Sequence, residues 1–441
     1  MKMLPALLVI GWCVSASSCF AGADPLVLSR VDAEYPRLLE LYQQLHAAPE
    51  ISFQEVKTAA RIAEELKQAG CEVTAQVGGH GVVGVLRNGP GPTVLVRTDL
   101  DGLPVLEETG LPYASRVRMK DDQGREVPAM HACGHDVHMT SLVGTARVLS
   151  ALRDRWSGTL VFIGQPAEER VGGAKAMLAD GLYTRFPRPD FCLALHSASD
   201  LPAGTVGHIE GYAMANSDSV DILVRGVSGH GAWPHLTKDP IVLAAQIVVA
   251  LQTIVSRETP PTEPAVVTVG SIHGGTKHNI IPDEVRLQLT LRSYSDEVRE
   301  ASLAALRRIV RGQALAAGIP EKLMPTVEIA KESARSTYND PALTRRIAAA
   351  IGQSIGEGNV IAKKPVMGAE DFGLYGRVEP GIPICLFWLG TITRESVAES
   401  LKTGQTLPSL HSSKFAPVPE PTLKTGVTAM TAGVLELLGK K

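Results

Sequence analysis

The sequence predicts an α/β protein, built as one α/β domain with a ferredoxin-like α+β unit inserted into it. Three observations carry this. Short apolar runs bounded by turns alternate with helical patterns over the first half of the chain, the pattern of a mostly parallel sheet covered by helices. From about Ser217 the order becomes strand, helix, two strands, helix, strand, which is a split βαβ arrangement. After that unit the chain returns to an apolar run, Pro383 to Leu389, and to His411, which belongs chemically with residues ahead of the insertion.

The N-terminus stands apart. Lys2 is followed by the apolar run Leu4 to Val14, by Ser15-Ala16-Ser17-Ser18 and by Ala21-Gly22-Ala23. This is the layout of a secretory signal peptide over residues 1–23, with Asp24 as the first mature residue. The run is too short to span a membrane well. A lipid-modified Cys19 is the less favoured alternative. The setting expected is periplasmic or secreted.

A helix is expected from about Ala33 to Ala47 and another from Lys57 to Ala69, with Gly70 as its stop. Strands follow at Thr93 to Arg97, Thr159 to Ile163 and Asp190 to Leu195, with a helical pattern from Met139 to Leu152 between the first two. In the inserted unit, Val220 to Gly226 reads as a strand. Asp239-Pro240 opens a helix with Leu243, Ile247, Leu251 and Ile254 on one face. Ala265 to Ile272 and Val285 to Arg292 are strands, Ser295 to Ala317 a helix closed by Gly318, and Thr326 to Lys331 the last strand. Gly404 to Pro408 reads as a loop ahead of His411.

The chain of 441 residues has room for two or three domains. Its net charge is -3, and it has no basic run or aromatic-basic interleaving, so nucleic acid is not an expected partner. Cys13 and Cys19 fall in the leader, and Cys71, Cys133, Cys192 and Cys385 remain. An exported protein could pair them. Their spacing is wide and Cys133 has a better use, so no disulfide framework is expected.

That use lies in Met130-His131-Ala132-Cys133-Gly134-His135-Asp136-Val137-His138. Thiolate and imidazole are good ligands for zinc and similar metals. Placed at a helix start, Cys133 is expected to have a lowered pKa, and Gly134 would let the backbone turn between the two ligands. A Cys-His nucleophile pair or a plain buried helix entry are the alternatives. His138 and Asp136 are read as groups that orient the ligands. Asp99/Asp101, Glu168/Glu169 and His196 sit at the carboxyl ends of strands, the edge where open α/β sheets bind ligands. Adjacent carboxylates such as Glu168 and Glu169 divide labour, one binding metal and the other acting as general base on water. With His411 the donor set is large enough for two metal ions.

These residues carry a resemblance. The chain resembles the hippurate hydrolase and auxin-conjugate amidohydrolase family of co-catalytic metallopeptidases, relatives of the aminoacylases. The matching segments are His46-Ala47-Ala48-Pro49-Glu50 with Glu55, Arg97 to Val105, the Cys133/His135 segment, Gln165-Pro166-Ala167-Glu168-Glu169, Ser228 to His235, Asn279-Ile280-Ile281-Pro282, Met367 to Phe372, and His411 to Phe415. Thr98 and Gly102 stand where the family pattern has alanines, and the exported N-terminus is less usual for it.

The resemblance implies a metal-bearing α/β catalytic domain (24–215 and 333–441) with an inserted lid and dimerisation domain (216–332). It implies the metal ligands Cys133, His135, Glu169, His196 and His411, with Glu168 as general base and Asp101 supporting the site. His230 is implied to reach the partner subunit's active site, and Asn279 and Arg292 to hold a substrate carboxylate. The activity implied is metal-dependent cleavage of N-acyl amino acids, hippurate-like or acetylated, by a homodimer with two divalent ions per subunit. Mixed S, N and O donors favour zinc, with manganese, cobalt and nickel as alternatives. The rival readings are a metallo-carboxypeptidase or dipeptidase on the same scaffold, and a non-catalytic metal-holding envelope protein.

Overall fold

The computed structural model describes residues 24–440. The expected signal peptide and Cys19 lie outside the described residues. The first helix, α1 (Pro25–Ala47), starts well before Ala33 because Asp24 caps it, its side chain accepting from Leu26 N–H. It continues through Pro36, burying Val27, Val31, Leu38, Leu41, Tyr42 and Leu45 along one stripe. Helix α2 (Val56–Gln68) follows. The first strands are β1 (Glu72–Val77), β2 (Gly81–Asn88) and β3 (Thr93–Asp99). After helix α3 (His135–Ala151) come β4 (Gly158–Gln165), β5 (Phe191–Pro202) and β6 (Val206–His208).

The inserted unit comprises β7 (Asn216–Arg225), α4 (Pro240–Leu251), β8 (Ala265–Gly274), β9 (Glu284–Ser293), α5 (Asp296–Ala316) and β10 (Thr326–Ile329). The chain then completes the first unit with α6 (Pro341–Ile355), β11 (Val360–Ala362), β12 (Ile384–Ile392) and α7 (Pro419–Leu438).

The large sheet has the order β1-β2-β4-β3-β5-β12-β6-β11. Its centre, β4-β3-β5-β12, is parallel. The β1/β2, β2/β4 and β12/β6 pairings are antiparallel. The β6/β11 pairing is parallel, so the sheet is mixed with four of its seven pairings parallel. Only Gly78-Gly79-His80 separate β1 from β2, too short a connection for a parallel crossover.

Both faces of the sheet are covered, and alternation along each strand assigns the sides. Val94, Val96, Phe162, Leu193 and Phe387 pack under α1, α3, α6 and α7. Leu95, Ile163, Cys192 and Leu386 pack on the other side with Met177, Tyr183, Phe372 and Tyr375.

The inserted sheet is antiparallel, in the order β8-β9-β7-β10. Its inner face carries Val220, Ile222, Leu287, Leu289 and Leu291 against Leu243, Ile247, Leu251, Leu306 and Val310 of its two helices. This is a core of its own. The chain passes between the units at Ser217 and Ala334, which exchange backbone hydrogen bonds of 3.0 Å.

Candidate metal centre

The site forms where β3, β4 and β5 deliver their polar residues to one end of the sheet. Gly134 is left-handed with φ 82°, and a Cβ there would stand 2.6 Å from Ser197 Oγ. Glycine alone fits between Cys133 and His135 without displacing that serine. Ala167 (φ 48°) and His411 (φ 67°) are also left-handed, a conformation costly for non-glycine residues and held by surrounding structure. Each such turn ends in a donor: Ala167 leads into Glu168-Glu169, and His411 is a donor itself.

Two of the imidazoles present a lone pair to the same space. His135 Nδ1–H donates to Asp101 O (2.7 Å), and His196 Nδ1–H donates to Ser197 O (2.8 Å). That fixes the Nε2 atoms as acceptors. Cys133 Sγ lies 3.6 Å from His196 Nε2 and 3.3 Å from His411 Nε2. Glu169 Oε1 lies 3.5 Å from His411 Nε2 and 3.7 Å from His135 Nε2. Ligands on a tetrahedral zinc stand about 3.3–3.8 Å apart, given bonds of about 2.0–2.3 Å, so these spacings fit a shared metal. His135 Nε2 and Glu169 Oε1 are buried with no hydrogen-bond partner, which buried polar atoms rarely tolerate. The donor set fits divalent ions.

The electrostatics ask for positive charge. Burial, with Glu370, Glu169 and Asp371 nearby, holds the Glu168 carboxyl well above its usual range. Burial pushes Glu169 up to about 7, with Asp101 adding to it and His135 opposing. Burial and the Glu169 and Glu168 carboxylates also push the Cys133 thiol well up. The lowered pKa expected from a helix start is therefore corrected: the thiol is buried among acids, and they outweigh one helix terminus. Burial resists charge on His135, yet Asp99 and Asp101 lift it to about 10.

Asp101 organises the floor. Its Oδ1 accepts from Glu168 N–H (3.1 Å), and its Oδ2 accepts from Glu169 N–H (3.0 Å) and Ser52 Oγ–H (2.6 Å). It orients both carboxylates through their backbone. His138 Nδ1–H donates to Asp99 (2.7 Å), and its Nε2 accepts from Ser197 N–H (2.8 Å). His138 thus holds residues beside the donors, as expected. Asp136 does not. It turns away to His46 Nδ1 (2.7 Å), whose Nε2 meets Glu107 (3.0 Å).

Sequence reasoning missed the buried counter-charge. Arg97 donates to Asp99 (2.7 Å), Glu370 (2.7 Å), Asp371 (3.2 Å) and Gln165 (3.0 Å). An arginine inside an apolar strand was the signal available.

Cys133, Glu168, Glu169, His196 and His411 border a cavity of about 530 Å³, and Arg292 lies on its wall beside Ser217. His135 lies beneath, fully buried. His230 and Asn279 are not in that cavity. They sit at the exposed tip of the inserted unit, where His230 pairs with Ile280 and Asn279 O accepts from Gly231 N–H (2.9 Å).

The model of peptidase family M20/M25/M40 matches residues 95–406. The chain belongs to this family. Among its relatives, thermostable carboxypeptidase 1 of Saccharolobus solfataricus is 36% identical over 402 residues, covering 89% of this chain and 93% of that one. Hippurate hydrolase of Campylobacter jejuni is 37% identical over 341 residues, covering 76% and 84%. The crystal structure of a dinuclear metal-binding M20 peptidase from Bacillus subtilis superposes with a TM-score of 0.72 at 30% identity, covering 92% of this chain and 99% of that one. The M20 protein is a metal-dependent hydrolase of amide bonds, and its donor groups suit two divalent ions.

Proposed function

We propose that this M20 hydrolase cleaves N-acyl amino acids, hippurate-like or acetylated, to a carboxylic acid and a free amino acid. One observation carries the need for a substrate with a free carboxylate: Arg292 reaches the cavity of the donor cluster with no carboxylate paired to it among the described residues. Its contacts are Thr290 Oγ1 (3.3 Å) and Met367 O (3.5 Å). A half-buried guanidinium facing a reaction site suits a substrate carboxylate, with Asn279 as its proposed helper. Two divalent ions, with zinc proposed, would be held by Cys133, His135, Glu169, His196 and His411, and would supply Lewis acidity at the scissile carbonyl. Glu168 takes the proton of the attacking water and returns it to the leaving amine. The names of relatives support both acyl-amino-acid and carboxypeptidase chemistry, and both need a free carboxylate.

A panel of hippurate, acetyl-amino acids and dipeptides, run with and without added metal, tests this. Acyl-amino acids should be the better substrates. Arg292→Ala should raise KM for them by about tenfold or more, since a charge-assisted contact is worth roughly 1.5–3 kcal/mol. Peptides turned over in preference would reassign the enzyme as a carboxypeptidase, and no turnover at all would reject catalysis.

A homodimer through the lid is part of the proposal. Its support is that Trp233, Leu236, Val242, Val249 and Ile272 are all more than half exposed on the inserted unit, an apolar surface of the kind that partners cover. Export is proposed from the leader-like N-terminus. N-terminal sequencing of protein from the cell envelope should begin at Asp24, and a start at a lipid-modified Cys19 would replace that with membrane attachment.

A further inference from the structure

A second cavity of about 400 Å³ abuts the first. The two share Glu169 and Arg170. The second is walled by Ile51, Leu103 and Pro104, with the tip of the hairpin Arg118–Lys120/Glu126–Pro128 overhead. It contains no residue of the inserted unit, whereas Arg292 is on β9 of that unit. A substrate held by its carboxylate at Arg292, with its amide at the donor cluster, therefore extends its acyl group past Glu169 toward this cavity.

Arg170 stands at the junction. It pairs with Asp122 of the hairpin tip and with Glu332 of the segment returning from the lid, and its guanidinium lies 5.2 Å over the Phe53 ring. Both carboxylates are more than half exposed. Exposed pairs of this kind hold weakly, about 0–1 kcal/mol, so the side chain swings at little cost.

Several polar groups of the second cavity are already committed. Asp121 accepts from Arg125 and from two backbone N–H groups, and Ser52 donates to Asp101. Beside these pairs a guest meets the apolar side chains of Ile51, Leu103 and Pro104, and the Asp121 and Asp122 charges are already matched by Arg125 and Arg170.

We infer that this cavity is the acyl subsite for neutral, medium-length apolar acyl groups, and that Arg170 is the gate that sets acyl preference. This rests on the proposed N-acyl-amino-acid reading. The test compares N-acetyl and N-octanoyl derivatives of one amino acid, with metal content measured for each protein. Each methylene buried in the subsite is worth roughly fourfold in kcat/KM. Leu103→Trp fills the cavity and should lower the octanoyl-to-acetyl ratio of kcat/KM by about tenfold. Arg170→Ala removes the gate and should raise that ratio by about threefold to fivefold. A merely structural role for either residue would move both substrates together and leave the ratio constant, which overturns the inference while the amidohydrolase reading stands. If the metal-replete wild-type protein hydrolyses neither derivative, the reading itself fails and the inference falls with it.

Discussion

Glu168→Gln should reduce turnover by about 10²–10⁴-fold, the worth of a positioned general base, with the metal content of the protein unchanged. The substitution keeps the shape of the side chain and removes its proton acceptor. The expectation follows from how the two neighbours are held. Asp101 fixes the backbone of both Glu168 and Glu169. Both carboxylates stand 3.7 Å from His135 Nε2, and Glu169 Oε1 also lies 3.5 Å from His411 Nε2 without a hydrogen-bond partner of its own. Glu168 also borders the cavity, where a carboxylate can take the proton of a water. Glu169→Gln should do the opposite and lower metal occupancy. Steady-state kinetics with elemental analysis of both variants decides the matter. Near-normal turnover in Glu168→Gln would remove it from the role, and loss of metal from that variant would swap the two assignments.

The proposed division of roles in this pair rests on local signals: two acids directly after an apolar strand, with Gly172-Gly173 behind them. The parallel centre of the sheet was legible for a similar reason. Its four strands are apolar runs long enough to stand out, and three of them, β3, β4 and β5, carry the polar motifs. The antiparallel margins were not legible. β1 is exposed or half-buried up to Val77 without regular alternation, and β6 and β11 have only three residues each, too few for a period to register.

At the site, the ligand types could be listed from the chain, but Arg97 could not be given its work. Its partner Glu370 is 273 residues away, and only the packing of the Met367 to Phe372 segment against β3 brings them together. The direction of the Cys133 pKa was misread for the same reason. The helix start is local and visible in sequence, whereas the burial that overrules it, and the acids that add to it, come from tertiary packing.

His230→Ala should lower turnover by roughly 10²–10³-fold, the cost of losing one oxyanion donor, without loss of metal. His230 is exposed, its Nδ1 accepts from Ala232 N–H (3.0 Å), and its ring packs beside Trp233 with centroids 5.0 Å apart. That contact leaves Nε2 free to donate outward. The cavity of its own chain is lined without it, so its proposed place is the site of a partner subunit. Mixing supplies the sharper measurement. His230→Ala subunits and Glu168→Gln subunits, each nearly inactive alone, are combined under conditions that exchange subunits. In a mixed dimer the Glu168→Gln subunit receives the altered lid, so one site carries both defects. The other site pairs an intact Glu168 with an intact His230, and activity should return in part. Recovery at half the wild-type value per mixed dimer is the ceiling, because one site in two is whole. Mixed dimers that demonstrably form and stay inactive would return His230 to its own subunit or strip it of a catalytic role.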